Sequence, residues 1–460
     1  MQPFIILHTN DIHGRIEGLA RITTMVEQVR LEHPDMPVLY FDIGDIEENS
    51  VRVSNLTKGV AMYRLLSASG CDAEVIGNGG ILRYGYQILQ EYAQVARYPL
   101  LLANMFLPNG QLVPGVQPTA LLTVGSFKLG LIGMTSDAFG AYQGFGVNMP
   151  PDLPVIKACA AQLRSEGADA VLLLSHLGLD VDRALAADLQ DDIALIIGAH
   201  SHHLLPQGER VGRILIAQAG EYAQNMGRLD LAWNGEQIAV QATSVIPVSS
   251  DIQPASRILD EVAAIEAETE HYLQDTIGEL EEPLDYASDR ECGTANLMAD
   301  MLREHMSAEV AIITPGVAFI GPLPAGPLRR VTLWDVCNSP ANPGVVTMTG
   351  TQLLAVVQRG LDPAFAQDCP RPMRGLARGL MHFSGARMQG GQLLIGGLPV
   401  EPERTYQVAG SDWELEPYGG YVEQAWNLQP HFATPTILRE ALETYLATHS
   451  PLRVEMGRLR

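Results

Sequence analysis

The chain has 460 residues, of which 47% are apolar, and this is enough for two or three domains with sizeable cores. Its formal net charge of −23 argues against nucleic-acid binding, because a surface that follows a phosphate backbone needs clustered Lys and Arg. Five scattered cysteines without a CxxC pair indicate reduced thiols and a cytoplasmic protein. Neither a membrane-spanning apolar run nor the basic region of a secretory signal is found, so no membrane partner is expected.

Short apolar runs alternate with helical patterns over the first 246 residues. Strands are predicted at residues 4–7, 38–41, 75–76, 171–174, 193–197, 214–217 and 229–233, with two more in 119–133 around a Gly-Ser turn. Helices are predicted at 18–29 and 155–163. This alternation favours an α/β fold with a largely parallel or mixed sheet and helices outside it.

Five of these strands are followed by side chains that can bind a metal. The side chains are Asp11, His13, Asp45, Asn78, His176, His200 and His202. Because buried strands of an α/β domain present their carboxyl ends to one crevice, residues far apart in sequence are expected to converge there. Carboxylate, amide and imidazole together suit a divalent ion such as Mn, Fe, Co or Zn.

Spacing strengthens the metal interpretation over the structural alternatives. Asp11 and His13, like His200 and His202, stand at i and i+2, so in extended segments their side chains point the same way. Taken alone, Asp45 could cap a helix. Asn78 could serve a Gly-rich turn, and His176 could be a buried structural histidine. Two paired motifs at strand ends favour a shared metal site.

The rest of the chain predicts a linking helix and a second domain. Domains are expected over residues 1–253 and 279–460, joined by an amphipathic linking helix over 254–278. The second domain is expected to contain helices at 295–306 and 350–359, strands at 310–313 and 406–409, and loops at 315–327 and 413–421.

The order of the motifs resembles a known family. Asp-x-His-Gly at 11–14, Gly-Asp at 44–45, Gly-Asn at 77–78, Ser-His-x-Gly at 175–178 and Gly-x-His-Ser-His at 198–202 are similar to the calcineurin-like metallophosphoesterases, and more narrowly to the bacterial 5′-nucleotidases. The resemblance continues through 289–300, 340–342, 383–387 and 406–409. It implies a four-layer α/β/β/α catalytic sandwich, followed by a smaller α/β domain that binds substrate.

The resemblance also implies a site for two divalent metal ions (Mn, Zn, Fe or Co). The implied ligands of one ion are Asp11, His13 and His202. Those of the other are Asn78, His176 and His200. Asp45 would bridge them, and Asp45, Asn78 and Arg83 form the predicted catalytic set. The expected activity is hydrolysis of a small-molecule phosphate ester, with nucleotides as the leading substrates, by metal-activated water that attacks phosphorus.

One departure concerns the catalytic dyad of the family. The family motif Gly-Asn-His-Glu with a nearby Asp appears here with Gly79 at the histidine position and Leu82 at the Asp position. General acid–base assistance of this kind contributes roughly 10²–10⁴-fold. Weaker turnover, a good leaving group or a replacement acid is therefore expected. Arg83 is a candidate for charge stabilisation, although it could also be a solvated arginine.

A second departure lies in the substrate domain. Residues 314–319 replace an Asn-x-Gly-Gly-x-Arg loop and put Phe319 at the arginine position, where its ring cannot make the bidentate contact of an arginine with phosphate. Trp413 and Tyr418 are predicted to stack on a base. The candidate anion contacts are Arg374, Arg378 and Arg387. The alternative function is a catalytically impaired protein of the same fold that binds metal and an anion as a sensor or scaffold. The sequence leaves the oligomeric state open.

Overall fold

The structure, a computed structural model, describes residues 1–137, 142, 146–337, 339–369, 377–434 and 436–459. The chain divides into two structural units, residues 1–268 and 269–460. In the described part of the chain, no helix combines the length and the apolar character needed to cross a membrane.

The first unit contains two six-stranded sheets. In spatial order, sheet A consists of β12 (Ile238–Pro247), β11 (Asn225–Trp233), β1 (Gln2–Thr9), β2 (Val38–Asp42), β3 (Ala73–Val75) and β4 (Leu100–Leu101). Sheet B consists of β5 (Thr119–Val124), β6 (Phe127–Thr135), β7 (Ala170–His176), β8 (Leu195–Gly198), β10 (Ile214–Ala217) and β9 (Glu209–Val211). Strands β1 to β4 run parallel to one another, as do β6, β7, β8 and β10.

The two sheets pack face to face, because alternate side chains of their strands point into the space between them. Phe4 and Ile6 of β1 join the same buried cluster as Leu172 and Leu174 of β7. Their neighbours Ile5 and Leu7 point to the opposite face, where they pack with helices. Successive side chains of a strand face opposite sides of the sheet, so one core fills the space between the sheets.

Helices cover the two outer faces. The helices of the first unit are α1 (Ile16–Glu32), α2 (Arg52–Leu56), α3 (Val60–Ser69), α4 (Gly79–Tyr84), α5 (Leu89–Val95), α6 (Asp152–Ser165), α7 (Leu179–Asp188) and α8 (Ser256–Gln274). Leu19 of α1 and Leu65 of α3 pack on the outer face of sheet A. Leu163 of α6 and Leu185 of α7 pack on that of sheet B. The layers are therefore α/β/β/α, and the predicted fold class is confirmed.

The second unit is a smaller mixed α/β assembly. Its strands are β13 (Thr276–Leu280), β14 (Val310–Ile313), β15 (Gly326–Arg329), β16 (Pro343–Thr349), β17 (His382–Ser384), β18 (Ala386–Gln389), β19 (Gln392–Ile395), β20 (Leu398–Pro399), β21 (Thr405–Ser411) and β22 (His431–Phe432). Its helices are α9 (Gly293–His305), α10 (Pro315–Ala318), α11 (Arg330–Val336), α12 (Gly350–Gly360), α13 (Pro363–Gln367), α14 (Asp412–Leu415) and α15 (Leu438–His449). The central sheet has the order β17-β14-β21-β16-β22.

The structure differs from the predicted elements at three places. The helix expected within 254–278 ends at Gln274, because residues from Thr276 onward pair with β15 as strand β13 and bury Ile277 and Leu280. The boundary between the two units falls after Glu268, inside α8. The loops expected at 315–327 and 413–421 contain the short helices α10 and α14, and the Ser411 side chain caps α14.

Candidate metal centre

The predicted metal ligands lie just beyond the carboxyl ends of parallel strands. Asp11 and His13 follow β1, Asp45 follows β2, and Asn78 follows β3 in sheet A. From sheet B, His176 is the last residue of β7, whereas His200 and His202 follow β8. The two sheets face each other, so their ligand loops meet at one edge of the sandwich. This is the crevice at which α/β proteins commonly bind ligands.

Two groups of potential metal-binding atoms lie at this edge. The first group is Asp11, His13 and His202, and the second is Asp11, Asp45 and His176. Asp11 Oδ1 is 3.3 Å from His202 Nε2 and 4.0 Å from both His13 Nε2 and His176 Nε2. Asp45 Oδ2 is 3.4 Å from His176 Nε2. In this geometry Asp11 is shared by both groups, and the bridging role of Asp45 stays a prediction.

The remaining two predicted ligands lie beside these groups. The His200 ring centroid is 5.2 Å from that of His176, and the His200 backbone N–H donates to Asp11 Oδ2 at 3.0 Å. Asn78 Oδ1 is buried without a hydrogen-bond partner among the described residues, as are Asp11 Oδ1 and His176 Nε2. Leaving such atoms unpaired is costly unless something absent from the chain binds them. Oxygen and imidazole donors of this kind fit a divalent cation.

The backbone of the ligand loops is held in an unusual conformation. Asp11, His13, Asp45, His200 and His202 all have positive φ angles, between +45° and +69°. Non-glycine residues rarely adopt this left-handed region, and strained positions of this kind cluster at functional sites. Backbone hydrogen bonds fix the loops to each other, with Asp11 N donating to Gly44 O and His13 N donating to Asp45 O, both at 2.9 Å.

Neighbouring groups orient the candidate ligands. The His176 Nδ1–H donates to Ile43 O at 2.6 Å, which leaves Nε2 free for an ion. His202 Nδ1 contacts Glu221 Oε2. Asn10 Nδ2 donates to Asp11 Oδ2 at 2.8 Å. Carbonyl–histidine and carboxylate–histidine pairs of this kind are typical around metal-binding imidazoles.

Charges within the site perturb its ionisable groups. Burial alone would lower the pKa of His176, but the charges of Asp45 and Asp11 outweigh it and raise that pKa to about 9. Burial alone would raise the pKa of Asp45, but the charge of His176 holds it well below its usual range. The adjacent Asp11 carboxylate raises the pKa of His202. The carboxylates therefore concentrate negative charge that attracts positive charge.

The segment that lacks the family dyad folds closely around two carboxylates. Gly79 N donates to Asp45 Oδ1 at 2.8 Å at the start of α4. A Cβ atom on Gly80 would overlap the Glu47 carboxylate. Arg83 is buried, with its guanidinium 4.8 Å from the centroid of the Tyr84 ring, so it is not the solvated arginine considered as an alternative. Its catalytic role stays a prediction.

The predicted substrate residues all belong to the second unit. Trp413 and Tyr418 form an edge-to-face pair with ring centroids 5.4 Å apart. Tyr418 is 60% exposed, and Arg387 is exposed on β18. Their substrate-binding roles stay predictions. Phe319 is buried in the core of the second unit.

The other two candidate anion contacts have different outcomes. Arg374 lies outside the described residues. Arg378 is buried, donates to Gly419 O and packs with its guanidinium 4.3 Å from the Phe365 ring centroid. These contacts commit Arg378 to the protein interior.

Sequence reasoning missed the groups that orient the ligands. Asn10 immediately precedes Asp11, and its adjacency to the motif is a signal that could have found it. Glu221 offers only a weaker signal, because it lies in a loop 19 residues beyond His202. The Ile43 carbonyl has no signal in the sequence, since any residue type supplies a backbone oxygen.

Comparisons with known proteins agree with this architecture. Residues 276–424 match the family described as 5′-nucleotidase, C-terminal domain. A Bacillus subtilis protein described as the uncharacterized metallophosphoesterase YunD is 27% identical over 426 residues, which cover 88% of this chain and 90% of that protein. A 5′-nucleotidase of Diplobatis ommata is 24% identical over 339 residues, covering 65% of this chain and 58% of that protein. The structure of a 5′-nucleotidase precursor from Thermus thermophilus superposes with a TM-score of 0.58 at 19% identity, covering 99% of both chains.

The layered fold and the cluster of donors are similar to those of metallophosphoesterases. Within that class, the second unit and the relatives place the similarity with the 5′-nucleotidases, so the resemblance drawn from the motifs is confirmed. Homologues of these kinds support hydrolysis of phosphate esters.

Proposed function

We propose that this chain is a hydrolase of small-molecule phosphate esters that depends on two divalent metal ions, with nucleotides as the leading substrate class. The observation that carries the proposal is the convergence of unpaired buried donors from both sheets, Asp11 Oδ1, Asn78 Oδ1 and His176 Nε2. Five unpaired cysteines fit a reducing compartment, and we propose that the protein acts in the cytoplasm.

Each ion would be bound by a different set of residues at the edge of the sandwich. Asp11, His13 and His202 would hold one ion, and Asn78, His176 and His200 the other. Bound there, two ions supply water activation and neutralise the charge that develops on the phosphoryl oxygens. Asp45 is oriented on both sides of its carboxylate, because Oδ1 accepts from Gly79 N while Oδ2 faces His176.

Proton transfer to the leaving group is the weaker part of this site. Gly79 and Leu82 offer no ionisable side chain where the family has its dyad. Arg83 is the predicted source of charge stabilisation, and an arginine does not release its proton at neutral pH. We therefore propose a preference for esters whose leaving group needs no proton, and slower turnover of alkyl esters.

The experiment is an ester panel with purified protein reconstituted with Mn, Co or Zn. Nucleoside monophosphates, cyclic nucleotides, sugar phosphates and aryl monoesters and diesters are tested for metal-dependent release of product. Asp45→Ala should reduce kcat by at least about 10²-fold, in line with the loss of a group that orders the metals. Asp180→Ala is the matched control, since the Asp180 side chain is 92% exposed on α7.

A second candidate function rests on the same departures. The absence of the dyad at Gly79 and Leu82, and the buried Phe319 in place of a phosphate-binding arginine, favour a protein that binds metal and an anion without turnover. Failure to hydrolyse any ester of the panel, with metal still bound at Asp11 and Asp45, would favour this alternative over the hydrolase.

A further inference from the structure

The loop between β10 and β11 holds two residues in a backbone conformation that most side chains disfavour. Tyr222 and Ala223 have φ angles of +56° and +53°. Left-handed backbone is uncommon outside glycine and costly for a bulky residue, so it persists only where the surroundings enforce it. Neither residue is a predicted metal ligand, so binding of the ions does not by itself explain this conformation.

Contacts with the first metal motif and with α1 enforce the conformation of this loop. Tyr222 N donates a hydrogen bond to Asp11 O at 2.8 Å. Ala223 is buried, and a Cβ atom on Gly18 of α1 would lie only 2.6 Å from the Ala223 Cβ. The lack of a side chain at Gly18 therefore lets the loop approach α1 closely. The Tyr222 side chain is thus attached to backbone that is fixed beside the predicted metal centre.

The Tyr222 ring contacts two predicted ligands of one ion and also an arginine. Its centroid is 5.6 Å from that of the His13 ring and 6.1 Å from that of the His202 ring. The guanidinium carbon of Arg15 is 4.8 Å from the same centroid. Arg15 is exposed and Tyr222 is partly exposed. Both side chains can therefore be reached from solvent at the rim of the metal centre.

In the described part of the chain, no carboxylate pairs with the guanidinium of Arg15, and the Tyr222 hydroxyl has no hydrogen-bond partner. Two carboxylates whose charges reach Tyr222 have other partners, since Glu221 contacts a predicted ligand and Glu48 accepts a backbone hydrogen bond at 3.0 Å. Acidic residues outnumber Lys and Arg by 53 to 30. An arginine that lacks such a partner in this chain is available to an external anion.

The two side chains have the chemistry of an anion contact. A guanidinium presents parallel N–H groups that match the oxygens of a phosphate or a carboxylate. A phenol, which keeps its proton at neutral pH, donates one further hydrogen bond. Arg15 directly precedes α1, so the positive amino end of the helix dipole adds to its charge. An anion held by these donors would lie beside the ion assigned to Asp11, His13 and His202.

We propose that Arg15 and Tyr222 bind a second anionic group, a phosphate or a carboxylate, of a substrate whose reacting phosphoryl group lies at the metal centre. The inference rests on the proposed function and narrows it to phosphate compounds that carry two anionic groups. It assigns recognition of the second group to the first unit, separately from the aromatic pair Trp413 and Tyr418 in the second.

The test compares phosphonates that differ in one group. The full chain, reconstituted with Mn, is titrated calorimetrically with propylphosphonate, with 3-phosphonopropionate and with propane-1,3-bisphosphonate. The last two add a carboxylate or a second phosphonate to the group that all three share. Wild type should bind at least one of them about tenfold more tightly than propylphosphonate, the effect of a hydrogen bond between charged groups. The compound that binds more tightly identifies the anion that this contact prefers.

Two substitutions each remove one donor. Arg15→Gln removes the charge and should reduce the preference to about twofold or less. Tyr222→Phe keeps the ring beside His13 and should reduce the preference by about threefold, the effect of one lost hydrogen bond. Arg15→Lys keeps the charge without the planar fork, so it should retain more of the preference than Arg15→Gln does.

A remote arginine provides the matched control. Arg97→Gln removes the same charge from an exposed side chain just before β4, at the edge of sheet A opposite to the metal centre, and it should keep the wild-type preference. Circular dichroism establishes that each variant is folded. Every variant should bind as much Mn as wild type, because neither Arg15 nor Tyr222 is a predicted ligand. Loss of Mn from Arg15→Gln would overturn the inference in favour of a structural role.

The outcomes separate this inference from the proposed function. Equal affinity of wild type for the three phosphonates, or a preference that Arg15→Gln leaves unchanged, would overturn the anion contact even if esters are hydrolysed. A preference for the second anion that Arg15→Gln abolishes, in a protein that hydrolyses no ester, would support the anion contact and overturn the hydrolase.

Discussion

The contact between Glu221 and His202 gives a prediction about one half of the metal centre. Glu221 Oε2 contacts His202 Nδ1, while His202 Nε2 faces Asp11 Oδ1 at 3.3 Å. Replacing Glu221 with Ala removes both the acceptor and the charge that fix the imidazole. His202 takes part only in the group with Asp11 and His13, so the substitution should lower the affinity for the ion held there and leave the affinity for the other ion unchanged.

The size of the effect follows from the exposure of the pair. Loss of a group that orients a metal ligand typically reduces metal affinity by about 10–100-fold. The side chains of His202 and Glu221 are 33% and 32% exposed, so solvent screens their charges and can partly replace the lost acceptor. We therefore expect the affinity for that ion to fall by about tenfold, the lower end of this range, which corresponds to about 1.4 kcal/mol of binding free energy. Glu221→Gln keeps an acceptor and should lose less.

Competition with a chromogenic chelator measures the affinities of both ions in wild type, Glu221→Ala and Glu221→Gln. Glu236→Ala, at an exposed turn between β11 and β12, is the control and should bind both ions as wild type does. If Glu221→Ala retained wild-type affinity for both ions, or weakened both equally, the assignment of His202 to one ion through Glu221 would be refuted.

Three further predictions concern the framework. Burial lowers the pKa of His382 to about 4, so the folded state binds fewer protons there than the unfolded state and loses stability as the pH falls from 6.5 towards 4. In urea titrations, the free energy of unfolding of wild type should fall by about 2 kcal/mol more than that of His382→Gln between pH 8 and pH 5. Asp300 and Arg458 form a bidentate pair with contacts of 2.8 and 2.7 Å. A double-mutant cycle with Asp300→Asn and Arg458→Gln should give a coupling energy of about 2 kcal/mol for this pair. Additive effects of the two substitutions on the free energy of unfolding would contradict it. Gly44 has a φ of +91°, and a Cβ atom added there would lie 2.6 Å from Gly77 N. Gly44→Ala should therefore destabilise the protein by at least about 2 kcal/mol and weaken metal binding. An unchanged melting temperature would contradict this.

Much of the site could be predicted because its signals are local. Each ligand follows an apolar strand, and parallel strands bring their carboxyl ends together whatever their separation in sequence. Thus Asp11 and His202, far apart in the chain, lie 3.3 Å apart between Oδ1 and Nε2. The alternation of strands and helices predicted a parallel or mixed sheet with helices outside it, and the four layers were implied by the family resemblance.

The rest depended on tertiary contacts that local patterns do not contain. The helix expected to reach residue 278 ends at Gln274, because Thr276 and the residues that follow it pair with β15 as a strand. Arg83 is buried in the last turn of α4 with its guanidinium over the Tyr84 ring, whereas the sequence alone was equally compatible with a solvated arginine. Glu221 was missed because its loop returns to His202 only through the fold.

Anomalous diffraction from crystals of the full chain soaked in Mn locates the bound ions directly. Two strong peaks about 3.5–4 Å apart are expected, one touching Asp11, His13 and His202 and the other touching Asn78, His176 and His200, with Asp45 in contact with both. Crystals that show no peak at the carboxyl edge of the two sheets, or peaks only elsewhere on the chain, would contradict this expectation.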